Sequence, residues 1–140
     1  IPESIKPTFA DFDVFGDENA EKAIITYGRT FSACAFAYEK LVNSGESVKL
    51  IKLNRIIPVC EGAVEAAKNC KDVYFFEEGI RRGGAGEGFL FDLSKAGFSG
   101  KYHLRAIENG FVKQASVESL LHKYGFDEEG VLSFVASAEA

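Results

Sequence analysis

The sequence predicts an α/β protein, a three-layer α/β/α sandwich on a mostly parallel sheet. Three observations carry that reading. Short apolar or alternating runs recur at residues 22–27, 47–53, 73–76 and 102–107. Segments with apolar residues at helical spacing lie between them. Gly, Pro or Asn punctuates the junctions, as at Gly28, Asn43-Ser-Gly45, Pro58 and Gly97. Strands that alternate with helices at this spacing place helices on both faces of a parallel sheet.

Residues 1–20 hold Pro2, Pro7 and five acidic side chains, with Phe9, Phe12 and Phe15 at every third position. They read as an extended lead-in or linker from a preceding domain. Its aromatics dock either on this domain or on a missing neighbour. The domain proper is assigned to residues 21–140. Lys22–Tyr27 is a β-rich run closed by Gly28. Phe31, Cys34, Ala35, Tyr38, Leu41 and Val42 then mark one face of a helix. Ser47–Leu53 alternates as a strand, and Pro58 prevents its continuation. Glu61–Asn69 is Ala-rich and helical, and Val73–Phe76 is a third strand. Glu87–Ala96 is a helix that places Phe89, Leu90 and Leu93 on one side. Tyr102–Ile107 is the fourth strand. Ser116 caps a helix that ends at Gly125, and Asp127 starts a last one to about Ser137.

Composition narrows the function classes. A chain of 140 residues with 46% hydrophobic residues builds one core and is not disordered. The net charge is −5 and no stretch is strongly basic, which argues against a nucleic-acid partner. No apolar run reaches the roughly 20 residues that span a bilayer, and the start is not a signal peptide. The chain begins at Ile1 instead of Met, so it is expected to be a piece of a longer protein. Cys34, Cys60 and Cys70 are odd in number and lack Cys-x-x-Cys spacing, which argues against a disulfide framework or a zinc site. Reduced cysteines fit a cytoplasmic protein.

The stretch 72–89 concentrates the candidate chemistry. An apolar run ends in Glu77 and Glu78, then come Gly79, Arg81 and Arg82, then Gly83, Gly84, Gly86 and Gly88. In open α/β sheets, a strand that feeds a loop and a helix is where ligands bind. The dinucleotide pattern fails in register, because Phe89 stands where its third Gly belongs. No Lys follows the glycines, so it is not a P-loop either. Two readings stay open: a phosphate or carboxylate site on Arg81, Arg82 and the loop glycines, or a close-packing turn at an interface. Glu77 and Glu78 point to opposite strand faces and do not form one acid/base pair. One of them is expected to pair with Arg81, Arg82 or a neighbouring subunit. Arg55 follows the second strand at the same sheet edge, where it either reaches the Gly loop or forms a salt bridge. His103 alternates within an apolar strand and reads as a partly buried His. No catalytic set can be assembled from these residues.

The ordered segments resemble the C-terminal domain of the thiamine-diphosphate transketolase-like enzymes. Within that family they are most similar to the 1-deoxy-D-xylulose-5-phosphate synthases. Four stretches carry the likeness: Ala23–Gly28; Leu53-Asn-Arg-Ile-Ile-Pro58; Val73–Gly79 followed by Gly83-Gly-Ala-Gly86; and Leu120–Val131. The chain departs from the synthases at 107–116, where their Glu-His-Gly is missing and Gln114 or Ala115 replaces the His.

The resemblance implies a parent enzyme that uses thiamine diphosphate and Mg²⁺. Such a synthase joins pyruvate, after decarboxylation, to glyceraldehyde 3-phosphate. Cofactor-binding and most catalytic residues of such enzymes lie in the N-terminal and central domains. This chain lacks the Gly-Asp-Gly metal motif, so by itself it is expected to hold no cofactor or metal and to have no activity. Its partners are then those two domains of the same enzyme, in a homodimer. The alternative is a free-standing anion-binding or oligomerisation module.

Overall fold

A computed structural model describes residues 2–8, 10–56, 60–77, 84–106, 131–132 and 135. The strands are β1 (Phe12–Phe15), β2 (Lys22–Thr26), β3 (Val48–Leu53), β4 (Asp72–Glu77) and β5 (Lys101–Ala106). The helices are α1 (Phe31–Asn43), α2 (Glu61–Ala67) and α3 (Ala85–Lys95), and a 3₁₀ turn at Gly28–Thr30 leads into α1. The sheet order is β1-β3-β2-β4-β5. β2 to β5 are parallel, and β1 joins β3 antiparallel at the edge.

Strand composition explains the layering. Parallel strands are covered on both faces and read as near-continuous apolar runs. Ile24, Leu50, Tyr74 and Phe76 face one side, under Phe31, Cys34, Ala35 and Tyr38 of α1 and helical Val131 and Val135. Ile25, Ile51, Val73 and Phe75 face the other, under Ala63, Val64 and Ala67 of α2 and Phe89 and Leu93 of α3. The predicted three-layer α/β/α sandwich is therefore observed.

Two boundaries differ from the sequence reading. Residues 12–15 of the lead-in form a strand of this sheet, with Phe12 paired to Leu53 and Phe15 to Leu50. Phe12 packs on the α2/α3 side and Phe15 on the α1 side, so these two aromatics dock on this domain. Phe9 lies outside the described residues. The third predicted helix begins two residues early, at Ala85, which places Gly86 inside α3 and not in a loop. Gly86 has a physical reason to be there. A Cβ would press on Leu104 and come within 2.9 Å of Glu77 Oε1. The predicted helix at 116–125 lies outside the described residues. No described helix is long and apolar enough to cross a membrane.

Candidate functional site

The chain leaves β2 toward β3 on one side, then returns to β4 on the other. In doubly wound sheets the crevice for ligands opens at the C-terminal ends of the two strands where the order reverses. Here those ends are Thr26 and Glu77, so the reading of residues 72–89 and the topology point to the same edge.

Glu77 is the centre of that edge. It closes β4, opposite Ala106 of β5, and is 1% exposed. Its Oε2 accepts the Gly86 amide of α3 at 3.1 Å and the Tyr27 hydroxyl at 3.3 Å. Among the described residues no donor reaches Oε1. Tyr102 of β5 donates to the Gly86 carbonyl at 2.6 Å. One carboxylate and one tyrosine thus hold the first turn of α3 from both sides. Burial pushes the Glu77 carboxyl above its usual range, and the charge of Glu87 adds to that. The Gly86, Tyr27 and Ala85 hydrogen bonds pull the other way without reversing it. Burial also pushes the Tyr102 phenol up, with the Glu77 charge adding to it.

The neighbouring end of β2 is tied down in the same manner. Thr26 Oγ1 lies 3.1 Å from Phe76 O, Thr30 Oγ1 lies 2.9 Å from Tyr27 O, and the two hydroxyls adjoin each other, so their two protons serve two of these three contacts. Both threonines are buried. Gly28 turns the chain with φ +64°, which only a residue without Cβ adopts at low cost.

Arg55 lies elsewhere on the edge and forms an exposed ion pair with Asp11 at 3.2 Å. Its backbone amide and that of Asn54 both donate to Asp11 O, at 3.0 and 2.8 Å. Asn54 Nδ2 donates to Ala10 O at 2.7 Å and to Asp13 at 3.1 Å. The Asn-Arg pair after β3 therefore anchors the lead-in. Glu77 is bound by an amide and a phenol, and the expected pairing of Glu77 or Glu78 with Arg81 or Arg82 lies outside the described residues. Gly84 is the N-cap of α3, in extended conformation. Glu78, Arg81, Arg82 and Gly83 lie outside the described residues. Sequence reasoning missed Tyr27, Tyr102 and the two threonines: Tyr27 and Thr26 meet partners 50 positions away and Tyr102 one 16 positions away, which no local pattern marks, and Thr30 matters only through its contact with Thr26.

A second polar group sits at the opposite end of the sheet. His103 Nε2 lies 3.0 Å from Asp72 Oδ1, and its ring stacks on Tyr74 with centroids 4.6 Å apart. This is the partly buried His the alternation predicts. Among the described residues no cluster of three His, Cys, Asp or Glu side chains forms a metal site. The described residues thus offer no set that fits a diphosphate with its Mg²⁺.

A hydroxyl-and-carboxylate lock at the switch point of a five-stranded sheet defines a packed α/β domain. Residues 16–131 match the family model "Transketolase, C-terminal domain", and the chain belongs to that family. It is similar to the 1-deoxy-D-xylulose-5-phosphate synthase of Bacteroides fragilis, at 29% identity over 115 residues. That match covers 81% of this chain and 18% of the synthase. The same enzyme of Bacillus mycoides is 30% identical over 118 residues, covering 82% of this chain and 19% of that protein. The chain thus spans about a fifth of the length of these relatives. Among solved structures, a split-gene transketolase in an inactive β4 tetramer matches with a TM-score of 0.78 at 19% identity. That match covers 99% of this chain and 45% of the other and shows the shared fold.

Proposed function

We propose that the chain is the non-catalytic C-terminal domain of a cytoplasmic, thiamine-diphosphate-dependent transferase, of the 1-deoxy-D-xylulose-5-phosphate synthase type. In that protein it supports the homodimer and packs against the N-terminal and central domains. Those domains hold the cofactor and join pyruvate to glyceraldehyde 3-phosphate. One observation carries the structural role: the crevice where such a sheet would take a ligand is occupied by its own groups. The Gly86 amide, which would greet an anion at α3, already binds the Glu77 carboxyl group. The alternative, a free-standing anion module, loses that amide.

Calorimetry of the chain with thiamine diphosphate and Mg²⁺ is expected to show no heat. The chain supplied with pyruvate and glyceraldehyde 3-phosphate is expected to give no product, whereas its full-length protein gives deoxyxylulose phosphate. Micromolar cofactor binding or turnover by the chain alone overturns the non-catalytic role. A full-length protein that transfers ketol units but refuses pyruvate overturns the synthase assignment and leaves the broader class standing.

A further inference from the structure

Glu77 is buried without a counter-charge among the described residues. From β2 it faces the Tyr27 hydroxyl. From α3 it faces the Gly86 and Ala85 amides and the like charge of Glu87, and from β5 the Tyr102 phenol. Leu104 crowds the same glycine from the apolar side. Oε2 accepts from Tyr27 and Gly86, and among the described residues no donor is bonded to Oε1. An ionised carboxylate so placed has lost its hydration and leaves half of its acceptor capacity unfilled. The neutral acid loses far less. The N-terminus of α3 favours the anion, but burial is the larger influence here.

We propose that Glu77 is a proton-operated lock between β4 and α3. With the carboxyl protonated, one oxygen still accepts the Gly86 amide and the first turn of α3 stays seated on the sheet. With it ionised, the carboxylate is drawn toward water and away from Glu87, and that turn opens. The sign follows from the raised carboxyl. Its ordinary value is 4.5. The locked state is fully stabilised below that value, and the stabilisation is lost as pH rises through the higher folded value.

Two measurements on the chain test the lock from pH 4 to 8.5: a ¹³C titration of the Glu77 carboxyl and amide exchange in the first turn of α3. The expected midpoint lies above 4.5. Protection of the Gly86, Glu87 and Gly88 amides, corrected for intrinsic exchange, falls by up to about tenfold per pH unit between 4.5 and that midpoint. Glu77→Gln keeps the acceptor and removes the proton, so its protection stays high and level across the range. Tyr27→Phe removes a donor that favours the anion and raises the midpoint. A midpoint at or below 4.5, level protection in the unmodified chain, or a Glu77→Gln profile that follows it overturns the lock. If Glu77→Gln does not fold, Tyr27→Phe decides: an unchanged or lowered midpoint overturns the proposal.

Discussion

The ring of Phe12 lies over the Cα of Gly62, so close that a Cβ there would come within 2.7 Å of Phe12 Cε1. A strand from the lead-in thus rests directly on the backbone of α2. Gly62→Ala sets two effects against each other. Overpacking costs about 1–3 kcal/mol, and helix propensity returns about 1 kcal/mol. The net expectation is a loss of up to about 2 kcal/mol from these two terms. In a Phe12→Ala background the clash is gone, and Gly62→Ala becomes stabilising by up to about 1 kcal/mol. Urea melts of the four proteins read this reversal of sign. The same sign in both backgrounds contradicts the packing argument.

Asp13 ties the lead-in to β3 and is the side chain whose protonation should release it. Its carboxylate accepts the Thr8 hydroxyl at 2.6 Å, the Thr8 amide at 3.1 Å and Asn54 Nδ2 at 3.1 Å. Burial alone would raise its carboxyl, but the two Thr8 bonds, Asn54 and the charge of Lys52 hold it below the ordinary 3.8. A carboxyl lowered by folding stabilises above its unfolded value, and the gain is lost as pH falls through the folded one. Asp13→Asn is therefore expected to be less stable than the unmodified chain at pH 6. The site is partly exposed, so the gap is under about 1 kcal/mol. It should narrow toward zero by pH 2. Melts in urea at stepped pH check it, and a gap that stays constant with pH removes Asp13 as the cause.

Much of this architecture is legible in local pattern. The four parallel strands and three helices follow from apolar periodicity, because each must bury a face against the next layer. β1 is not legible in this way. Four residues that include Asp13 look like a linker, and they become a strand only because β3 offers an edge at Leu50–Leu53. The site divides along the same line. Glu77 stands out in the sequence because a carboxylate ends an apolar strand. Its partners do not, since Tyr27 and Gly86 meet it only after the sheet order is set. Arg55 shares an edge with the Gly loop in sequence logic, and its ion pair is with Asp11 of the lead-in, which no local pattern marks.

Gly86 is where the loop motif becomes packing, and its replacement should be costly. A Cβ would meet both Leu104 and Glu77 Oε1, and the Glu77 side chain is fully buried. Gly86→Ala is expected to destabilise by about 1–3 kcal/mol. Tyr102→Phe removes the 2.6 Å bond to Gly86 O and should cost about 0.5–1.5 kcal/mol. The two changes act on one residue, so their effects should not add. Thermal melts of the singles and the double variant measure this. Simple additivity would mean that Tyr102 steadies something other than the start of α3.

The three cysteines are all free and buried, and their surroundings rank them. Burial pushes the Cys34 thiol up to about 12, although a hydrogen bond with Thr26 opposes it. Burial also raises Cys70, but the charge of Lys49 partly offsets it. The Lys49 ammonium is itself buried, donating to Glu18 O at 2.6 Å and Ala66 O at 2.8 Å. The thiolate is the reactive species, so at pH 8 only about one Cys34 in ten thousand is reactive even before access is considered. Iodoacetamide labelling followed by mass spectrometry should modify Cys34 last in the folded chain and all three cysteines at similar rates in denaturant. Labelling of Cys34 ahead of Cys70 in the folded chain would show that the α1 face opens more readily than its packing implies.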